Sequence, residues 1–204
     1  MKTGILGGTF DPIHIGHLLL AEAAYEAAGL DRVILLPTGR SYFKDGTGVT
    51  DAGRRLAMVR LAAQGNRHLE VLDIEVRRPG KTYTSDTLQE LSKCFPEDEL
   101  FYIIGADTLL QMEHWHQPEI VFQLARILVE TRSDEAGSGE VEITARSLRE
   151  KYGADIRMLP VRNIEISSTE IRSRVREGRS IRYLVPRNVE DYIEEQGLYL
   201  AKTM

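Results

Sequence analysis

The sequence predicts an α/β fold: a Rossmann-like, doubly wound and mostly parallel sheet with helices on both faces. Short apolar runs alternate along the chain with segments whose apolar residues repeat at helical spacing. Glycine and proline close several of these segments, at Gly29, Pro37 and Pro96. Strands that alternate with helices are typical of βαβ units, whose sheets bind ligands at the carboxyl ends of the strands. We therefore expect the functional residues in the turns directly after strands.

Six short apolar runs predict the strands. The second run ends at Pro37, which has no N–H to continue a strand ladder. The clearest run, Leu-Phe-Tyr-Ile-Ile, is bounded by acidic residues and by Gly105. In chain order the predicted strands are 4–7, 33–36, 69–72, 100–104, 127–129 and 156–159.

Terminal residues mark the predicted helices. Gly29 is well suited to end the first helix, Asp51 to cap the second, and Pro118 to occupy the first turn of a later one. The stretches 38–50 and 134–139 predict surface loops, because they are rich in glycine and small polar residues. The predicted helices cover about 18–28, 52–62, 87–95 and 118–124, and another begins after Ser167.

Length and charge predict the number of domains and exclude some classes of binding partner. The 204 residues (23.0 kDa) predict one domain over 1–204, with a small C-terminal helical part from about 167. The net charge of −5 argues against a nucleic-acid coat or a binder of anionic membranes. A single cysteine excludes an internal disulfide framework, and no apolar run approaches the roughly 20 residues that span a bilayer. These features predict a cytoplasmic protein without nucleic-acid or membrane partners.

The strongest functional signal follows the first strand, in the turn Gly-Gly-Thr-Phe-Asp-Pro-Ile-His-Ile-Gly-His over 7–17. Adjacent glycines let backbone N–H groups approach an anion, and the next helix points its positive end at the same place. His14 and His17 are three residues apart, so they share one helix face and can donate hydrogen bonds to a phosphoryl group. A zinc site is the weaker alternative, since no carboxylate follows at helical spacing. The pattern departs from the G-x-G-x-x-G fingerprint, which argues against hydride transfer.

Two later stretches predict further contacts with a nucleotide. In 166–172, Ser167 and Glu170 have the spacing of a capping box, so a helix start with several hydroxyls and Arg172 forms a second anion site. Asp107 follows the clearest strand and can accept hydrogen bonds from a ribose diol, or else cap the next helix.

These motifs together resemble the nucleotidyltransferase superfamily. Gly-Gly-Thr-Phe-Asp-Pro followed by His-x-Gly-His is similar to its signature, and Ile-Ser-Ser-Thr-Glu-Ile-Arg is similar to a motif of bacterial nicotinate-nucleotide adenylyltransferases. The resemblance extends from Gly4 to about Tyr199 and implies the nucleotidyltransferase fold. In that family, a Tyr-Thr-x-Asp-Thr segment and an aromatic residue after Gly-Ala-Asp enclose the pyridine ring, which matches Thr84 and Trp115 here.

The resemblance implies three groups of site residues. Those for catalysis are His14, His17, Lys44 and Arg172. Those for ATP are Gly7, Gly8, Thr9, Phe10, Gly105, Asp107, Ile166, Ser168 and Thr169. Those for nicotinate mononucleotide are Thr84, Trp115, His116 and Arg132. At Lys44 the family usually has Pro-Pro-His-Lys, whereas this chain has Ser-Tyr-Phe-Lys.

The implied reaction is adenylyl transfer from ATP to nicotinate mononucleotide, which yields nicotinate adenine dinucleotide and pyrophosphate, a step of NAD biosynthesis. The acceptor phosphate attacks the α-phosphorus in line, with Mg²⁺ bound mainly through ATP phosphates. Other acceptors, nicotinamide mononucleotide or phosphopantetheine, are the alternatives within the same class. A non-catalytic nucleotide sensor is the alternative from another class, and a homo-oligomer is one assembly state to test.

Overall fold

The computed structural model describes residues 1–41, 48–132, 138–161 and 165–201. Its strands are β1 (Lys2–Gly8), β2 (Arg32–Pro37), β3 (Arg40–Ser41), β4 (Leu69–Val71), β5 (Lys81–Thr82), β6 (Glu99–Gly105), β7 (Ala125–Arg132) and β8 (Ile156–Val161). Six of them form one sheet in the order β4-β2-β1-β6-β7-β8, with every neighbouring pair parallel. The short β3 and β5 pair separately, also in parallel.

The strand order reverses between β1 and β6, because the chain adds strands outward on one side and then returns to the centre. At this point the connections leave β1 and β6 toward opposite faces, and a crevice opens beyond their carboxyl ends. The turn after β1 and the turn after β6 therefore lie side by side. This arrangement confirms the predicted parallel, doubly wound sheet.

The helices are α1 (Ile15–Ala28), α2 (Ala52–Ala63), α3 (Ile74–Arg77), α4 (Thr84–Cys94), α5 (Ala106–Leu109), α6 (Pro118–Leu124), α7 (Ser138–Tyr152), α8 (Ser168–Arg176) and α9 (Arg187–Glu195), with a 3-10 turn at Met112–His114. Buried residues of α1, α2, α8 and α9 pack in one apolar cluster, and those of α4, α6 and α7 pack in a second. Successive residues of β1 alternate between the two clusters, with Ile5 in one and Leu6 in the other. The two layers cover the two faces of the sheet. Among the described residues, no helix is both long and apolar enough to cross a membrane.

Three predicted helix boundaries agree with the structure, whereas α1 and α4 each begin three residues before the predicted start. Gly29 has a left-handed φ of 58° after α1, the Asp51 side chain accepts from the N–H groups of Gly53 and Arg54, and Pro118 begins α6.

The loop predicted over 134–139 is wrong at its end, because Ser138 and Gly139 belong to the first turn of α7. Residues 134–137 lie outside the described ranges. Sequence reasoning missed α7 altogether. Val141, Ala145 and Leu148 are its buried positions, and their i, i+4, i+7 spacing is the signal that predicts a helix.

Candidate active site

A cleft of about 520 Å³ opens at the carboxyl ends of β1 and β6. This volume lies within the ordinary range for small-molecule sites. Eight residues singled out in the sequence line it: Gly7, Gly8, Thr9, His17, Thr84, Gly105, Asp107 and Trp115. The fold thus brings the turn after β1, the turn after β6 and the start of α4 to one place.

The two histidines form a stacked pair at the start of α1. Their ring centroids are 3.6 Å apart, with His14 as the N-cap residue and His17 in the first turn. The His14 backbone N–H donates to Nδ1 of His17 at 3.2 Å. A neutral His17 ring that accepts at Nδ1 carries its proton on Nε2. His17 thereby becomes a hydrogen-bond donor with a defined tautomer beside the cleft.

Both histidines are held in the neutral form. Burial lowers the pKa of His14 to about 4, and burial together with the adjacent His14 lowers the pKa of His17 well below its usual value. The first turn of α1 contains no acidic residue that would oppose a bound anion. Neutral imidazoles at a helix N-terminus can donate hydrogen bonds to phosphate without a change of protonation.

Gly16, between the two histidines, allows the pair to stack. A Cβ at this position would come within 3.1 Å of Nδ1 of His14. That contact is tighter than side chains ordinarily tolerate, so a larger residue would displace the His14 ring. Steric contact with the His14 ring therefore explains why the third position of His-x-Gly-His is glycine.

The second motif packs against the first turn rather than into the cleft. The Ser167 side chain accepts from the N–H of Glu170 and caps α8, which confirms the predicted helix start. Ser168 Oγ donates to the Pro12 carbonyl at 2.9 Å. Nη1 of Arg172 donates to the Asp11 carbonyl at 2.8 Å. Together, these two hydrogen bonds attach the start of α8 to the turn after β1.

Arg55, on α2, is a buried residue that sequence reasoning missed. It is 2 % exposed, and its guanidinium donates to four backbone carbonyls: Thr9, Thr38, Gly39 and Thr50. These carbonyls belong to the turn after β1, the segment after β2 and the residue before the α2 cap. The signal was present, because Arg55 lies on the same helix face as the apolar Met58 and Val59.

Asp11 links the same turn to the C-terminal end of the described chain. Its Oδ1 accepts from the Tyr199 hydroxyl at 2.7 Å, and its Oδ2 accepts from the Thr50 N–H at 3.1 Å. Burial and the Asp11 charge raise the pKa of Tyr199, so the phenol remains a donor. The turn after β1 is thus braced from α2, α8 and the C-terminal segment.

Polar and aromatic side chains form the other end of the cleft. The hydroxyls of Thr84 and Tyr102 are 3.5 Å apart, and the ring of half-buried Trp115 meets Tyr102 edge-on at 6.1 Å. Burial raises the pKa of Tyr102 to about 12, so its hydroxyl stays protonated. His116 is exposed and its ring contacts Tyr83 at 4.4 Å, beside Thr84. These rings can hold a flat heterocycle.

Asp107 is exposed at the cleft and makes no capping hydrogen bond, since α5 begins after Gly105 without a side-chain cap. This finding disfavours the cap alternative. Among the residues expected in the site, seven do not line the cleft: Phe10, His14, Ile166, Ser168, Thr169, Arg172 and His116. Lys44 and the Arg132 side chain lie outside the described residues.

Within the described residues, no group of three or more His, Cys, Asp or Glu side chains could hold a metal ion. A divalent cation held by phosphate oxygens and water needs no such cage. The backbone N–H, imidazole and hydroxyl groups near the cleft fit the triphosphate, whose phosphate oxygens would hold the cation.

Residues 5–174 match the model of the cytidylyltransferase-like family. Among curated relatives, a probable nicotinate-nucleotide adenylyltransferase of Lachnoclostridium phytofermentans is 46% identical over 98% of this chain and 99% of its own length. Proteins with the same designation from Dehalococcoides mccartyi and Thermomicrobium roseum are 40% and 42% identical. They cover 98% and 97% of this chain, and 97% and 91% of their own lengths.

Solved structures share the fold. The Plasmodium falciparum nicotinic acid mononucleotide adenylyltransferase, described in complex with NaAD, superposes with a TM-score of 0.76 at 16% identity. The alignment covers 98% of each chain. A putative nicotinate-nucleotide adenylyltransferase of Vibrio parahaemolyticus gives 0.68 at 19% identity, over 98% of this chain and 96% of that one. The six-stranded arrangement is therefore one that such enzymes adopt.

Proposed function

Since the chain belongs to the cytidylyltransferase-like family, among the nicotinate-nucleotide adenylyltransferases, we propose that it transfers the adenylyl group of ATP to nicotinate mononucleotide. The products are nicotinate adenine dinucleotide and pyrophosphate, and the enzyme is a nucleotidyltransferase of NAD biosynthesis. One observation carries the proposal. The glycine-rich turn after β1 and two stacked, neutral histidines lie at one end of the cleft, here called the phosphate end. Hydroxyl and aromatic side chains line the other end, here called the acceptor end.

The acceptor brings its own nucleophile, because its phosphate is ionised at neutral pH. One phosphate oxygen forms a bond to the α-phosphorus of ATP, and the bond from that phosphorus to the bridging oxygen of pyrophosphate breaks. No general base is needed, so the protein contributes positioning and stabilisation of charge.

The phosphate end supplies donors for the triphosphate. His17 donates through Nε2–H where charge develops, and His14 supports it. The backbone of Gly7, Gly8, Thr9 and Phe10 forms the anion cradle. Lys44 and Arg172 steady the β- and γ-phosphates, for which Arg172 exchanges its Asp11 carbonyl for phosphate. Ile166, Ser168 and Thr169 lie outside the cleft and are proposed to support the ATP site from beside the turn after β1, which Ser168 holds at Pro12.

The nucleoside parts occupy the remaining walls. Gly105 and Asp107 receive the ribose of ATP, and Thr84 and Trp115 enclose the pyridine ring, with His116 beside Thr84. Arg132 is proposed as a further contact of the mononucleotide. Enzymes of this kind use a divalent metal ion, and Mg²⁺ is the ion proposed here. When bound, it neutralises charge on the phosphate oxygens.

The remaining features of the protein are also proposals. The chain acts as one nucleotidyltransferase domain, in which α8 and α9 form a C-terminal part and α8 braces the turn after β1. A cytoplasmic location, no nucleic-acid partner and a homo-oligomeric option complete the proposal.

Pyrophosphate release tests the activity directly. Purified protein is mixed with ATP and Mg²⁺ and, in separate reactions, with nicotinate mononucleotide, nicotinamide mononucleotide or phosphopantetheine. We expect the fastest pyrophosphate release with nicotinate mononucleotide. Release with phosphopantetheine alone contradicts it, and tight ATP binding without release from any acceptor favours the sensor.

A further inference from the structure

Glu75, on the short helix α3, is a buried carboxylate to which the proposed reaction assigns no role. It is 5 % exposed and lines the cleft together with Thr84, Tyr102 and Trp115. Burial raises the pKa of Glu75, and its own hydrogen bonds offset this only in part. An acidic group at this end of the cleft is unexpected, since the acceptor there is itself an anion.

The carboxyl group of Glu75 holds the segment that carries Thr84. The Thr87 hydroxyl donates to Oε1 of Glu75 at 2.8 Å, and the Thr82 hydroxyl also hydrogen-bonds the carboxylate. Thr82 and Thr87 flank Thr84 on its two sides, at the end of β5 and in the first turn of α4. Two bonds to one acceptor therefore fix the backbone between them.

The second carboxylate oxygen of Glu75 destabilises the folded protein. Oε2 is buried and has no hydrogen-bond partner. A buried polar atom without a partner is destabilising, and a residue selected for packing alone would avoid that cost. The arrangement indicates a carboxylate kept for what it positions.

The backbone of Glu75 is coupled to the phosphate end as well. A Cβ at Gly39 would come within 2.1 Å of the Glu75 carbonyl oxygen, so only glycine permits this approach. The Gly39 carbonyl in turn accepts from Arg55, which also binds the Thr9 carbonyl. The position of Glu75 is thus set relative to the turn that receives the triphosphate.

We propose that Glu75 is a positioning residue of the acceptor site: its carboxylate clamps Thr82 and Thr87 so that Thr84 faces the mononucleotide. This inference rests on the proposed function, because Thr84 is an acceptor contact only in that reaction. Glu75 acts through Thr84 and does not touch the reacting atoms. Its loss should therefore weaken acceptor binding and leave the chemical step intact.

The test compares Glu75→Met with wild type in the pyrophosphate assay. The variant removes the acceptor of the Thr87 hydroxyl, so we expect KM for nicotinate mononucleotide to rise roughly three- to tenfold, the effect of one lost hydrogen bond. Glu75→Gln keeps one acceptor oxygen and should stay closer to wild type. KM for ATP and kcat should stay within about twofold. Thr87→Val removes the donor from the other side and should reproduce the change. In the double variant, KM for nicotinate mononucleotide should be no higher than in the more strongly affected single variant, because both substitutions remove the same contact.

Glu70→Met is the matched control. Glu70 is a half-exposed carboxylate on β4 that pairs with Arg32, away from the cleft, and its substitution should leave all three constants unchanged. Thermal melting shows whether each variant is folded. If Glu75→Met does not fold, Thr87→Val provides the test.

Three outcomes overturn the inference. One is an unchanged KM for the mononucleotide in both folded variants, and another is a loss confined to kcat. The third is a changed preference between the nicotinate and nicotinamide mononucleotides, which would mean that the Glu75 charge contacts the ring substituent directly. If wild type itself releases no pyrophosphate with nicotinate mononucleotide, the proposed function fails first, so the two failures are distinguishable.

Discussion

The two ends of the cleft are built differently. At the phosphate end, backbone groups and the neutral His17 line the cleft, and His14 stacks on His17. A buried guanidinium and a buried carboxylate brace the turn from behind. At the acceptor end, side chains form the surface itself, and Glu75 with its threonine partners supplies the brace. Phosphate binding needs fixed N–H groups at a helix start, whereas a flat ring needs aromatic area.

This difference predicts which kinetic constant each end controls. Charge develops on phosphate oxygens in the transition state, so changes at the phosphate end should lower kcat. The pyridine ring is the same in the ground and transition states, so changes at the acceptor end should raise KM for the mononucleotide.

His17→Ala should have the largest effect. It removes the Nε2–H donor, so kcat should fall roughly 10²–10³-fold, as when one donor to a developing charge is lost. Single-turnover and steady-state assays of the purified variant measure this. His17→Gln keeps a neutral N–H donor and should retain more activity than His17→Ala. A near-normal kcat for the alanine variant would contradict the assignment.

Arg55→Met should be next, through stability. Four buried carbonyls lose their donor, and the free energy of unfolding should fall by about 3 kcal/mol. Urea denaturation measures it. Arg54→Met is the control, since Arg54 is its exposed neighbour on α2 and should change stability by less than about 0.5 kcal/mol. Equal effects of the two variants would show that the brace is unimportant.

The pKa of His14 predicts a pH dependence of stability. Because the folded value of about 4 lies below the unfolded value of 6.5, the unfolded chain binds the proton first. Stability linked to His14 is therefore intact above about pH 6.5 and is lost as the pH falls toward 4. At pH 5 the loss should be about 2 kcal/mol relative to pH 7.5.

His14→Gln isolates this contribution from that of other titrating groups. Its unfolding free energy should fall less than that of wild type between pH 7.5 and pH 5. Parallel curves for the two proteins would exclude a neutral, buried His14 as the cause.

Trp115→Leu should have the smallest effect and should act at the other end. It removes the ring face, so KM for nicotinate mononucleotide should rise about three- to tenfold, with kcat nearly unchanged. Steady-state assays with varied mononucleotide and saturating ATP measure it. A drop in kcat without a change in KM would contradict the prediction that the acceptor end controls KM for the mononucleotide.

Much of the phosphate end could be predicted from the sequence, because its elements are local. The turn over 7–17 contains the glycines, the histidines and the helix start within eleven consecutive residues. Ser167 and Glu170 likewise form their cap over one turn. Short-range spacing suffices when all partners lie on one segment.

The braces could not be predicted in this way. Arg55 lies 46 residues from Thr9, and Tyr199 lies 188 residues from Asp11. The helical spacing with Met58 and Val59 marks Arg55 as facing the core, but it does not identify the partner of Arg55. A buried hydrogen bond between distant residues depends on where the chain returns in space. At Glu75 the only signal was a charged residue between the apolar Ile74 and Val76.

The sequence by itself determined the class of fold, the six strands of the main sheet and the kind of anion site, because hydrophobic period, turn residues and helix starts are set within a few residues. Only the tertiary structure decided that the turns after β1 and β6 meet, since that requires the strand order to reverse between them. It also decided that His17 is a neutral donor, because burial and the Nδ1 contact set its charge and tautomer. Desolvation and long-range contacts exist only once the chain has folded.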